Sequence, residues 1–161
     1  MIRYYVEIVI LKRAIIKSVK SKVTLVYKDL EDNIAEETVW AKPLENGLYQ
    51  IDNIPFYAPN LSNKDIIAVE NDEGVLYFDD LIEASGHSTV QIIFFDDSKS
   101  KDLLKKLEEI GCKWEGMKEQ PYYTVDIPLD VDYNTVKDIL NKETEIGILD
   151  YKESCLAENH S

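Results

Sequence analysis

Residue types that commonly carry chemistry are scarce in this chain. There are two His, two Cys and six Gly among 161 residues. None stands at a spacing that positions a nucleophile, a metal ion or a phosphate, so motif reading assigns no catalytic, cofactor-binding or metal-ligating residue. Cys112 and Cys155 are too few for a disulfide framework. With no secretory leader they are expected to be reduced thiols of a cytoplasmic protein. No apolar run approaches the ~18 residues of a membrane helix. Internal repeats are missing, and so are linkers rich in Pro, Gly or Ser. Ser85-Gly86-His87-Ser88 is the only candidate joint, so any two halves are expected to pack closely. Positive charge is short as well: 18 Lys+Arg face 31 Asp+Glu, for a formal net charge of −13. A field of this sign repels nucleic acid and anionic lipid and attracts basic proteins and cationic ligands.

The base that is present gathers at the start. Met1–Lys22 holds Arg3, Lys12, Arg13, Lys17, Lys20 and Lys22 against Glu7 alone. A basic start followed by Val6–Leu11 mimics a targeting signal. Glu7 interrupts the apolar stretch and no small-residue cleavage site follows, so residues 1–22 are expected to form an amphipathic or edge element on the acidic body.

Apolar residues make up 45% of the chain, enough for a genuine core. Residues 23–86 carry the period of strands. Val23–Tyr27, Thr38–Ala41, Leu48–Asn53, Asp65–Glu70, Val75–Phe78 and Leu81–Ala84 are short β-rich runs. Glu45-Asn46-Gly47 and Asn71-Asp72-Glu73-Gly74 supply turns, and Pro55 and Pro59 make Ile54–Asn60 a loop or edge. This spacing predicts a small antiparallel curled sheet or barrel. Residues 87–154 change period. Thr89–Phe95 is an apolar strand; Asp97 or Ser98 caps a helix with Leu103, Leu104, Leu107 and Ile110 on its buried face and Gly111 at its end. Lys113–Met117 and Tyr122–Ile127 are strands. Asp132 caps a second helix with Val136, Ile139 and Leu140 inside, and Ile146–Tyr151 is a last strand. The order β-α-β-β-α-β predicts a ferredoxin-like unit. The expected fold is therefore α+β, a β-subdomain over 23–86 packed on a ferredoxin-like subdomain over 87–154, with a frayed polar tail over 155–161.

Few residues invite a functional reading. His87 could be a base or a ligand, but catalysis requires an orienting carboxylate and a nucleophile that the sequence does not place beside it. A structural hydrogen bond at the Gly86 corner is the expectation. His160 lies in the tail and needs no function. Asn53-Ile54-Pro55-Phe56 reads as a turn with Phe56 anchored in the core, and less well as a ligand-binding rim. Asp130-Val131-Asp132-Tyr133-Asn134 starts like a calcium loop, but lacks the Gly and the terminal Glu, so Asp132 is read as a helix cap. Ten Tyr are many for this length; exposed ones would be interface anchors. Asp72, Glu73, Asp79, Asp80 and Glu83 lie on one turn and the strand after it, where a hairpin could present them together to a basic partner. They are the expected partner-binding residues.

Asn46-Gly47-Leu48-Tyr49-Gln50-Ile51-Asp52-Asn53-Ile54-Pro55-Phe56, then Asp65-Ile66-Ile67, Ser85-Gly86-His87-Ser88-Thr89 and Phe94-Phe95 resemble the bacterial family called domain of unknown function 4265. That family has a strand ending in an N-[IV]-P-[FW] turn, a D-x-[IV] strand, and a G-[HG]-[SRN]-T corner entering the next strand. The family name records no activity. Similar small acidic proteins are often encoded beside polymorphic toxins and act as immunity proteins. The resemblance thus implies an immunity role, and the expected function is a non-enzymatic inhibitor of a basic toxin domain such as a nuclease; the chain is expected to be a monomer or weak dimer. The alternative is a small-molecule sensor built on the ferredoxin-like unit, a link of fold analogy.

Overall fold

A computed structural model describes residues 19–161. Residues 1–18, most of the expected basic element, lie outside the described residues. The first unit has strands β1 (Ser21–Lys28), β2 (Ile34–Pro43), β3 (Tyr49–Ile51), β4 (Ile66–Asp72) and β5 (Val75–Glu83). They close into a barrel in sequence order. Consecutive strands pair antiparallel, and closure comes from a parallel contact of Val23 with Leu76 and Thr24 with Tyr77. Alternation decides what lies inside: Val23, Leu25, Val39, Ala41, Ile51 and Ile67 form the core, with Ala58 and Leu61 entering from a loop. At Asn46 and Gly47 the φ angles of 74° and 75° fit the turn read from these residue types.

Three details of the barrel differ from the sequence reading. The β-subdomain is not wholly antiparallel, because its closing pair is parallel. The runs Val75–Phe78 and Leu81–Ala84 are one strand, since Asp79 and Ile82 are bulges: Ala68 pairs Asp80 while Val69 pairs Phe78, and Ile66 pairs Glu83 while Ile67 pairs Leu81. Each bulge inserts a residue and re-aims its neighbours. Phe56 is only half-buried, and Ile54, Pro55 and Ala58 anchor its loop instead.

The second unit has β6 (Ser88–Phe94), α1 (Ser100–Glu109), β7 (Lys113–Gly116), β8 (Tyr122–Ile127), α2 (Tyr133–Glu145) and β9 (Leu149–Cys155). The sheet order is β7-β8-β6-β9, and every neighbouring pair is antiparallel. Val90, Ile92, Phe94, Val125, Ile127 and Leu149 meet Leu103, Leu104 and Leu107 of α1 and Val136 and Leu140 of α2 in one cluster. Both helices therefore lie on one face. The chain is α+β, as its alternating periods predict.

Here too the ends of elements depart from expectation. The side chain of Asp96, not Asp97 or Ser98, caps the turn before α1, accepting Ser98 N–H. Asp132 does cap α2 as expected, by accepting Asn134 N–H. Ile146 and Gly147 belong to the end of α2, where Gly147 has φ 74°, so the last strand starts at Leu149. The tail is docked rather than frayed. His160 is 8% exposed, stacks on Tyr133 and pairs through Nδ1 with Ser88 Oγ at 2.7 Å. Cys112 and Cys155 are both free.

Candidate functional site

The face of the β6–β8–β9 sheet opposite the helices carries polar side chains by strand parity: Thr89 and Gln91, then Tyr122, Thr124 and Asp126, then Lys152 and Ser154. The long β3–β4 loop lies on this face and joins the two units. Thr124 Oγ1 donates to Pro55 O at 3.0 Å. Gln91 Nε2 and Tyr122 Oη both donate to Phe56 O, at 2.8 and 2.9 Å. Asn60 N–H donates to Ser154 O at 3.0 Å, and Ser62 Oγ meets Thr89 Oγ1 at 2.9 Å. Asp65 accepts the backbone N–H groups of Ser62 and Ser85, both at 2.8 Å. The Asn53-Ile54-Pro55-Phe56 turn, Asp65 and the Ser85–Thr89 corner are thus the fastening between barrel and sheet.

His87 has the orienting carboxylate that sequence could not place. Its Nδ1 lies 2.7 Å from Asp126 Oδ1, and Asn63 Nδ2 donates to the other carboxylate oxygen at 3.0 Å. Asp126 is 1% exposed. The neighbouring Ser88 hydroxyl is engaged by His160 and by Ala157 N–H, so it is not paired with His87. Burial, aided by the Asp126 carboxylate, pushes the Cys112 thiol up to about 12, and burial also raises Cys155. Neither thiol is activated as a nucleophile.

A groove of about 690 Å³ opens between the β1–β2 hairpin and the exposed part of the same sheet face. Tyr27, Tyr57 and Tyr122 stack along it. Tyr27 and Tyr57 have centroids 6.3 Å apart at 10°, and Tyr57 and Tyr122 are 5.7 Å apart at 13°. Glu37 positions the middle ring. It occupies an inward position of β2, and its carboxylate accepts the N–H groups of Phe56, Tyr57 and Ala58. Burial first, then nearby Glu37, raises the hydroxyl pKa of Tyr57; burial, followed by Tyr57 and Glu37, raises that of Tyr122. All three rings stay neutral phenols. Leu30, Ala35, Pro59 and Ile93 of β6 add apolar lining, while Asp29, Glu31 and Asp150 stand with Lys28 and Lys152 on the rim.

The five expected partner-binding acids are placed on the β4–β5 hairpin. Asp72 and Glu73 lie at its turn, Asp79, Asp80 and Glu83 farther along β5, and all five are exposed. Consecutive strand residues normally face opposite ways, and the bulges at Asp79 and Ile82 are what leave 79–80 and 82–83 exposed together. Asp72 and Asp80 are separated by most of the strand, so they form a stripe rather than a knot. Among the described residues none of the five has an ion-pair partner. Base gathers elsewhere: Lys20, Lys42 and Lys64 surround Asp52, and Lys22 lies over Trp40.

Sequence reading did not place Asp126 beside His87, and it missed Glu37 and the tyrosine stack. Asp126 was within reach, because Tyr122, Thr124 and Asp126 share one parity of an otherwise apolar strand. The stack draws on three separated segments and had no local signal.

No curated protein matches the chain. A crystal structure titled as a hypothetical protein from Neisseria gonorrhoeae is similar at 42% identity and TM-score 0.80, covering 86% of this chain and 96% of that one. The family model described as "Domain of unknown function (DUF4265)" matches residues 37–151, which include the fastening turn, Asp65 and the His87 corner, and the chain belongs to that family.

Proposed function

We propose that this protein is a non-enzymatic inhibitor, of the toxin-immunity kind, that binds a basic toxin domain through the acidic β4–β5 hairpin. The observation that carries the reading is the stripe Asp72, Glu73, Asp79, Asp80 and Glu83, exposed and without ion pairs among the described residues. Exposed carboxylates gathered on one hairpin raise the encounter rate with a cationic surface. Set over the cleft of a nuclease, they would occupy the place of substrate phosphates. The second unit is read as ferredoxin-like, which its strand order and one-sided helices support. It serves as the scaffold on which the barrel is fastened.

The test is co-expression with the product of the neighbouring reading frame. Copurification and protection of growth are expected for the wild type. A neighbour that encodes no basic domain, together with no protection, would remove the inhibitor reading. A second reading, a small-molecule sensor, is favoured by the tyrosine-lined groove. It would gain if a metabolite extract raised the melting temperature of the protein while no protein partner copurified.

A further inference from the structure

Two features of the groove fit one occupant. The first is an open sheet edge. Among the described residues β9 is the last strand of its sheet and pairs only with β6. Phe95 N–H donates to Ile148 O, while Phe94 N–H turns the other way to Pro121 O. By alternation Asp150 and Lys152 bond to β6, and the backbone groups of Leu149, Tyr151 and Glu153 point away from the sheet. Among the described residues Tyr151 N–H has only the neighbouring Asp150 carboxylate as acceptor, at 2.9 Å. The edge is covered beyond this point, where Asn60 N–H takes Ser154 O. An unpaired edge beside a cleft is the template used in strand addition.

The second feature is the chemistry beside that edge. The stacked rings of Tyr27, Tyr57 and Tyr122 offer π surface, and Tyr57 is 41% exposed. Asp29, Glu31 and Asp150 rim it. Asp29 is held below the usual carboxylate range by the N–H groups of Asn33 and Glu31. Of the two rim lysines, Lys28 is turned to Asp32 at 3.8 Å. Aromatic faces bordered by carboxylates bind lysine and arginine side chains. A second copy of this chain would bring a net charge of −13 to the same rim.

We propose that the groove receives an extended segment of a basic partner protein, its backbone adding to the β9 edge and a lysine or arginine side chain resting on the tyrosine stack. The proposal deepens the inhibitor reading and rests on it for the partner's charge. The hairpin stripe would steer the partner, and the groove would hold it.

The test uses the whole chain, isotope-labelled, and a short N-acetylated peptide alternating arginine and valine. Saturable amide shifts at Leu149–Glu153, Tyr27–Glu31 and Tyr57 are expected. N-methylation of alternate peptide nitrogens, or glutamate in place of arginine, should weaken binding at least about tenfold. Ile93 is 44% exposed, so Ile93→Lys should leave the melting temperature unchanged. It should weaken the peptide at least about fivefold, and Lys152→Glu should tighten it. Shifts confined to the β4–β5 hairpin, or binding indifferent to N-methylation, would mean mere charge attraction and overturn the proposal. So would a dimer of this chain that Ile93→Lys dissociates, or a small molecule that fills the groove while the peptide does not. The peptide assay needs no toxin, so it reads the groove even if the inhibitor reading fails. Conversely, toxin neutralisation kept by Ile93→Lys but lost on neutralising the hairpin acids would leave the proposed function and remove the groove.

Discussion

Asp126 shows how much one buried carboxylate can organise. Its two oxygens hold His87 from the corner and Asn63 from the loop, so one residue of the sheet fixes two points of the barrel's fastening. Removing His87 leaves Asp126 with one partner, and His87→Ala should lower stability by about 1–2 kcal/mol in chemical denaturation. Partner binding should persist, because His87 does not line the groove or the acidic stripe. Loss of binding at unchanged stability would instead give His87 a role in recognition. Asp52 is a second such residue. Burial alone would push its carboxyl up, but hydrogen bonds from Lys20, Lys64 and Lys42 outweigh this and hold it well below the usual carboxylate range. A depressed folded pKa contributes stability above the unfolded value of about 4, and loses it as pH falls from there through the folded value. Asp52→Asn should therefore cost about 1–2 kcal/mol at neutral pH, with the gap to wild type closing in acid. A gap that is the same at pH 7 and pH 3 would mean that the three lysines do not act through charge.

Elements that announce themselves by period were legible in the sequence, and elements fixed by distant partners were not. β6 and α1 stand at their expected places, because Val90, Ile92 and Phe94 alternate and Leu103, Leu104 and Leu107 recur at helical spacing. Leu107 is fully buried, so Leu107→Asp should destabilise by more than about 4 kcal/mol and abolish soluble expression. Wild-type melting in that variant would contradict the packing of α1 on the sheet. The union of β5 across Asp79 and Ile82 was hidden, since a bulge is set by the register of the partner strand β4 and not by composition. The docking of the tail was hidden for the same reason: His160 finds Ser88 far away in sequence. Of the candidate site, the acidic hairpin was legible because its residues are local. The groove was not, because Tyr27, Tyr57 and Tyr122 meet only after the loop crosses the sheet. The corner at Gly86 lies between these cases. Its φ is +80°, and a Cβ there would sit 2.8 Å from Leu129 Cδ1. Gly86→Ala should cost about 1–3 kcal/mol by thermal or chemical denaturation, through backbone strain and crowding together. A neutral result would show that Leu129 and the corner relax freely.

At the scale of the molecule, the charge of the barrel is sorted. Lys20, Lys42 and Lys64 meet at Asp52 on one part of it, while the β4–β5 hairpin presents carboxylates with no counter-ion among the described residues. Sorting of this kind has two physical uses, and they separate under salt. If the stripe only keeps the protein soluble, neutralising part of it should leave association with a basic partner unchanged. If it steers the partner, Asp79→Asn, Asp80→Asn and Glu83→Gln together should slow association and flatten its salt dependence. Dissociation should change less, because charges at the rim act mainly on the encounter. The three substitutions sit at exposed positions of β5, so melting temperature should hold within a few degrees and serve as the control. Association and dissociation rates against the toxin domain, measured at low and at moderate salt, decide between the two uses. An association rate that ignores both the salt and the triple substitution would move the contact away from the hairpin, to acids of the second unit such as Asp130 and Asp150.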